Sequence, residues 1–137
     1  MAKKLKPAKD LRALINMDAR LMSDALIAGQ TATRTYVWSE GPWSSRGPWD
    51  ADMIDHVFSE VQRFIDDEQL SERDIGSLLW NRSLKKWLMG RFEEAAEDAE
   101  IAVRIAERLK ESPSIVENKQ KSLRFMRERR CHLDMLE

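Results

Sequence analysis

Along most of the chain, apolar residues recur at spacings of three and four, the period of helices with one buried face. The first such stretch predicts a helix from about Pro7 to Ala28, with Leu11, Leu14, Ile15, Met22, Ala25 and Leu26 on one side. Pro7 suits its first turn and Gly29 its stop. Asp18 interrupts the stripe and leaves room for a break near Asn16 to Asp18. A second helix is announced by a hydrophobic staple: with Asp50 as N-cap, Trp49 precedes it and Ile54 falls at N4. Its apolar face is Ile54, Val57, Phe58, Val61 and Ile65. The device recurs at Leu70-Ser71, where Ser71 caps, Asp74 lies at N3 and Leu70 can meet Ile75.

The third helix, about residues 72–89, is apolar on two sides. Ile75, Leu78 and Leu79 make one patch, and Trp80, Leu84, Trp87 and Leu88 the other. A helix covered on both sides belongs at the centre of a bundle, and Gly90 suits a left-handed stop after it. The fourth helix carries the cleanest stripe: Phe92, Ala95, Ala96, Ala99, Ala102, Val103 and Ala106. Its alanines allow a neighbouring backbone close, and Glu93, Glu94 and Glu97 suit the positive end of the helix. Ser112-Pro113 reads as cap and first position of a last helix, whose Val116, Leu123, Met126 and Leu133 are sparse among Lys and Arg. The pattern predicts an all-α fold: a bundle of about five helices in one domain spanning residues 1–137. Residues 1–6 are expected to form a basic flexible arm, and residues 29–49 a loop rich in Trp, Gly and Pro.

Composition narrows the class. A chain of 137 residues can bury a core without disulfides or metals, and Cys131 is its only cysteine. Charged residues make up 34%, and no apolar run approaches a membrane span, so no membrane partner is expected. The opening MAKKLKPAKDLR has no apolar stretch behind it to act as a secretory signal, and a cytoplasmic location is expected. The net charge is −1 but unevenly spread. Residues 1–49 carry an excess of four positive charges, residues 50–111 an excess of seven negative, and residues 112–137 an excess of two positive. Such asymmetry can seat a charged partner or pair two subunits head to tail.

The segment 84-LKKWLMGRFEEAAEDAEIAVRI-105 resembles the middle of a tetratricopeptide repeat. The resemblance rests on Gly90 and Phe92 at the turn, Ala95 opening the second helix, and Ala102 seven residues on. It implies an antiparallel helical hairpin over about residues 76–110, of the kind that in stacked copies lines a peptide-binding groove. Arg82 and Lys86 stand where that family has Leu and Tyr, and no second copy is found. A single unit does not make a solenoid.

Catalytic chemistry finds no support in the motifs. His56 and His132 lie in different helices, and no zinc-protease, phosphate-loop or nucleophile-elbow signature is present. No enzyme, cofactor or metal site is expected. The carboxylates at 93, 94, 97, 98 and 100 are expected to form a solvated face. Cys131 beside Arg129, Arg130 and His132 is expected to be a quiet, partly buried thiol.

Two stretches point to partners. Residues 119-KQKSLRFMRERR-130 bring together Lys119, Lys121, Arg124, Arg127, Arg129 and Arg130 around Phe125 and Met126. With the basic N-terminal arm they could track phosphates, and weak, salt-sensitive nucleic-acid binding is expected. The stretch 73-RDIGSLLWNRSLKKWLMGR-91 does not complete a helix-turn-helix, since Trp80 and Asn81 replace the small and apolar turn residues. The loop 37-VWSEGPWSSRGPWD-50 holds Trp38, Trp43 and Trp49, with Tyr36 just before it. Trp49 belongs to the staple; Trp38 and Trp43 either close over the core or present an anchor to another chain. The function expected is a small intracellular adaptor or regulator that binds another protein, with a homodimer as one form of that association. The alternative is a nucleic-acid-associated regulator that uses the basic arm and the C-terminal helix.

Overall fold

The structure, a computed structural model, describes residues 7–18 and 51–130. It is the expected all-α bundle of about five helices, and no strand occurs among the described residues. Helix α1 covers residues 11–18. It starts at Leu11 and not near Pro7 as expected, because the Asp10 carboxylate accepts the Ala13 N–H at 2.8 Å and caps the helix there. It is followed by α2 (Ala51–Asp67), α3 (Glu72–Leu88), α4 (Phe92–Arg108) and α5 (Pro113–Arg127). The expected continuation of the first helix to Ala28, the arm at 1–6 and the loop at 29–49 lie outside the described residues, as does the Asp50 cap.

Helix α3 is the shared wall of two cores. On one side Leu78 packs with Val61 and Phe64 of α2 and with Ala8 and Leu14 of the N-terminal segment. On the other, Trp87 packs with Ala95, Ala99 and Val103 of α4 and Leu123, Phe125 and Met126 of α5, with Trp80 and Leu84 beside them. Both apolar patches of α3 are therefore used, as its two-sided pattern predicts. The α2 face differs by one position: Phe64 is buried and Ile65 only half-buried. Phe64 follows Val61 by three residues and so continues the same face.

Helices α2 to α5 run antiparallel through short turns. Ser71 caps α3 as expected, its hydroxyl accepting the Asp74 N–H at 3.2 Å. Ser112 occupies the cap position of α5, with Pro113 in its first turn, but makes no side-chain cap bond. Its hydroxyl lies 3.4 Å from that of Ser114 instead. Helices α3, α4 and α5 end alike, in a left-handed residue whose N–H and whose successor's N–H return to the last turn. Gly90 provides this conformation after α3 with φ of 79°, while Lys110 and Arg129 adopt it with φ of 56°. The α3–α4 crossing is close, since a Cβ on Gly76 would fall 2.9 Å from Ile105 Cγ2. The alanine stripe faces inward, with Ala95, Ala99 and Ala106 each at 0% exposure. At the far end of the bundle the Trp87 indole N–H donates to the Arg130 carbonyl at 2.8 Å.

The N-terminal segment is held at both ends by charged groups. Glu60 accepts the Ala8 N–H, and Arg63 donates to the Ala8 carbonyl at 2.9 Å. The Arg63 hydrogen bond, with help from the Ala8 N–H, holds the Glu60 carboxyl below its usual pKa, against the cost of its burial. Asp18, which interrupts the apolar stripe in the sequence, meets Lys85 of α3 at 2.6 Å.

Candidate functional site

An open cleft of about 320 Å³ lies where α2, α3 and the start of α4 meet. Its walls are Asp55, Phe58, Ser59 and Gln62 from α2, Arg82 and Lys86 from α3, and Arg91 and Glu94 at the turn into α4. Arg82 and Lys86 are four residues apart and so share one side of α3. That side faces α4, whose Asp98 lies three residues after Ala95 and one before Ala99, in the buried stripe.

Asp98 organises the floor. Arg82 grips it with two parallel bonds, Nε to Oδ2 at 2.7 Å and Nη2 to Oδ1 at 2.9 Å. The rest of the guanidinium is turned to α2, donating to the Phe58 carbonyl at 3.2 Å and to Gln62 Oε1 at 3.0 Å. Lys86 Nζ shares Asp98 Oδ2 at 3.0 Å and lies 3.9 Å from Glu94 Oε1. Its ammonium is also 5.5 Å from the centre of the Phe58 ring, which Arg91 approaches to 5.7 Å. At the mouth, Arg91 Nη1 pairs with Asp55 Oδ1 at 3.2 Å.

Asp98 is thus a correction to the expected solvated acidic face. Glu93, Glu94 and Glu97 are exposed, whereas Asp98 is buried because two α3 cations require it. The sequence shows only that Arg82 and Lys86, four apart, share one side of α3, and does not name Asp98 as their partner. Charge at two buried positions four apart requires a counter-charge on the facing helix.

The candidate residues from the sequence fall elsewhere. Trp38, Trp43 and Tyr36, like Cys131 and His132, lie outside the described residues. The basic residues of the C-terminal stretch are described, and most are matched. Lys119 pairs with Glu111 at 3.1 Å and stands over Trp80, Arg127 pairs with Glu100 at 3.2 Å, and Arg129 pairs with Glu93 at 3.4 Å. Arg130 pairs with Glu128 at 3.6 Å and lies 3.9 Å above the Phe125 ring, which Lys121 and Arg124 also approach. These residues do not form one unbroken positive face. Among the described residues no group of three or more His, Cys, Asp or Glu is placed to hold a metal ion. No helix among them is long and apolar enough to cross a membrane. No family model, curated protein or solved structure matches the chain.

Proposed function

We propose that this protein is a small cytoplasmic adaptor or regulator that acts by binding another protein, and that the cleft between α2, α3 and α4 is a docking point. The observation that carries this reading is the charged floor of the cleft. Arg82, Lys86 and Asp98 are fixed by one another and by Gln62 and the Phe58 carbonyl, so their polar groups are already oriented. Such preorganisation lowers the cost of recognising a polar partner surface. The cleft is open and its lining is largely polar and charged, which suits a segment of a larger molecule better than an enclosed apolar ligand. Trp38, Trp43 and Tyr36, outside the described residues, are the proposed aromatic anchors, in a heterologous complex or a homodimer. The hairpin's resemblance to a tetratricopeptide repeat supports the same kind of activity.

The test is capture of partners from a cell lysate by the wild type and by Arg91→Glu, a change at the half-buried mouth of the cleft. A protein retained by the wild type and lost with Arg91→Glu supports the reading; identical captures remove the cleft from it. The nucleic-acid reading is less supported, because most of the basic residues near the C-terminus already have carboxylate partners. A mobility shift with generic DNA that persists at physiological salt would reverse that order.

A further inference from the structure

The cleft floor has more positive than negative charge. Arg82 and Lys86, with side-chain exposures of 8% and 10%, share the single carboxylate of Asp98. Arg82 engages both of its oxygens, so Lys86 has only a shared one. An ammonium carries three donors. The next carboxylate, Glu94, stands 3.9 Å away, beyond hydrogen-bond distance, with a side chain 55% exposed. A pair of that kind is screened by water and contributes little. The buried trio therefore holds a net charge of about one positive unit, with donor capacity of Lys86 on the open side.

We propose that this cleft binds one carboxylate of a partner protein, an Asp or Glu side chain, with Lys86 as its principal contact. The proposal rests on the reading above that the cleft is a docking point for protein. A single carboxylate balances the floor. A phosphate dianion would over-balance it and meet Asp55 and Glu94 on the rim, where like charges repel. The Phe58 ring offers an apolar wall for the methylene groups of the acidic side chain. Ser59 and Gln62 stand on the same wall for the peptide backbone beside it. Arg91, paired with Asp55, leaves the mouth close to neutral, so the floor sets the preference. Glu94 competes with the incoming carboxylate for Lys86.

The experiment is a titration of the full chain, followed by amide chemical shifts, with acetyl-Gly-Glu-Gly-amide, its Gln counterpart and inorganic phosphate. The Glu peptide is expected to shift Ser59, Gln62, Lys86 and Arg91, and the Gln peptide and phosphate to leave them in place. Glu94→Gln, an exposed change that leaves the floor intact, should tighten Glu-peptide binding about two- to five-fold by removing the competitor. Lys86→Met should abolish the shifts while retaining the wild-type helical spectrum; where that variant fails to fold, the Glu94→Gln result decides. Equal response to the Gln peptide, tighter binding of phosphate, or a Glu94→Gln affinity equal to the wild type would overturn the proposal. A partner captured by the wild type and lost with Arg91→Glu, alongside a silent Glu-peptide titration, would sink the carboxylate assignment and leave protein docking standing.

Discussion

Lys85 and Asp18 form the most buried ion pair among the described residues, with side-chain exposures of 0% and 6%. They sit 2.6 Å apart, and the attraction between them favours the charged form of Lys85. Desolvation outweighs that attraction and keeps the Lys85 pKa below its ordinary 10.5. A pair of this kind adds little net stability, yet removing one member leaves the other buried alone. Asp18→Ala should therefore cost ~3–5 kcal/mol in urea denaturation, and adding Lys85→Met to it should recover most of the loss. The sign with pH follows from the lowered pKa. Between that value and 10.5 the folded chain has released the Lys85 proton while the unfolded chain keeps it, so the residue's contribution to stability rises with pH across that window. Below the window the cost of burying the charged form is fully present. Melting temperatures of the wild type and Lys85→Met, compared from neutral to alkaline pH, should show the difference moving in favour of the wild type. A difference that stays constant would mean that Lys85 is not titrating in the core.

Helices α3 and α4 owe their closeness to small residues on both sides of the crossing. Gly76 leaves no room for a methyl group against Ile105, whose side chain is itself buried at 5% exposure. Gly76→Ala sets a gain in helix propensity of about 1 kcal/mol against an overpacking cost of ~1–3 kcal/mol. The second should win, because the contact is with a β-branched side chain that has few ways to yield. A thermal melt above that of the wild type would show that the crossing can open. Ala99, fully buried against α3 and α5, should be as intolerant, and Ala99→Leu is expected to lose ~1–3 kcal/mol by the same measurement. The stripe itself can be read in the sequence as alanines at helical spacing. The Gly76 contact cannot, because a glycine in a helix only names a close approach once the facing residue is known.

The two cores share α3, so the bundle has no seam at which one half could open without disturbing the other. Residues 29–49 lie in the sequence between α1 and α2, outside the described residues, and Trp38 and Trp43 among them are the proposed anchors. Replacing Trp38 and Trp43 with Ala should leave helicity nearly unchanged and weaken partner association by ~2 kcal/mol or more, as at a binding hot spot. Circular dichroism and a binding titration on the same double variant check this. Lost helicity with association intact would make those rings part of the core. The described charge pairs also bear on the nucleic-acid alternative. Arg127 and Arg129 reach across to Glu100 and Glu93 of α4, so charges that cluster in the sequence are spread among acids in space.

Local sequence pattern determined helices α2 to α5, the inward alanines of α4, the two-sided α3, and the Ser71 and Gly90 boundaries. These follow from local rules: a 3.6-residue repeat, a side chain that caps, and a residue that tolerates positive φ. The fates of Asp18, Arg82, Lys85, Lys86 and Asp98 were decided only by the tertiary structure. Each is a charge whose burial depends on a counter-charge from another helix: α1 with α3 for one pair, α3 with α4 for the other group. No local pattern specifies which helices become neighbours or in what register. The cleft and the surplus positive charge of its floor therefore came into view only when α2, α3 and α4 were packed together.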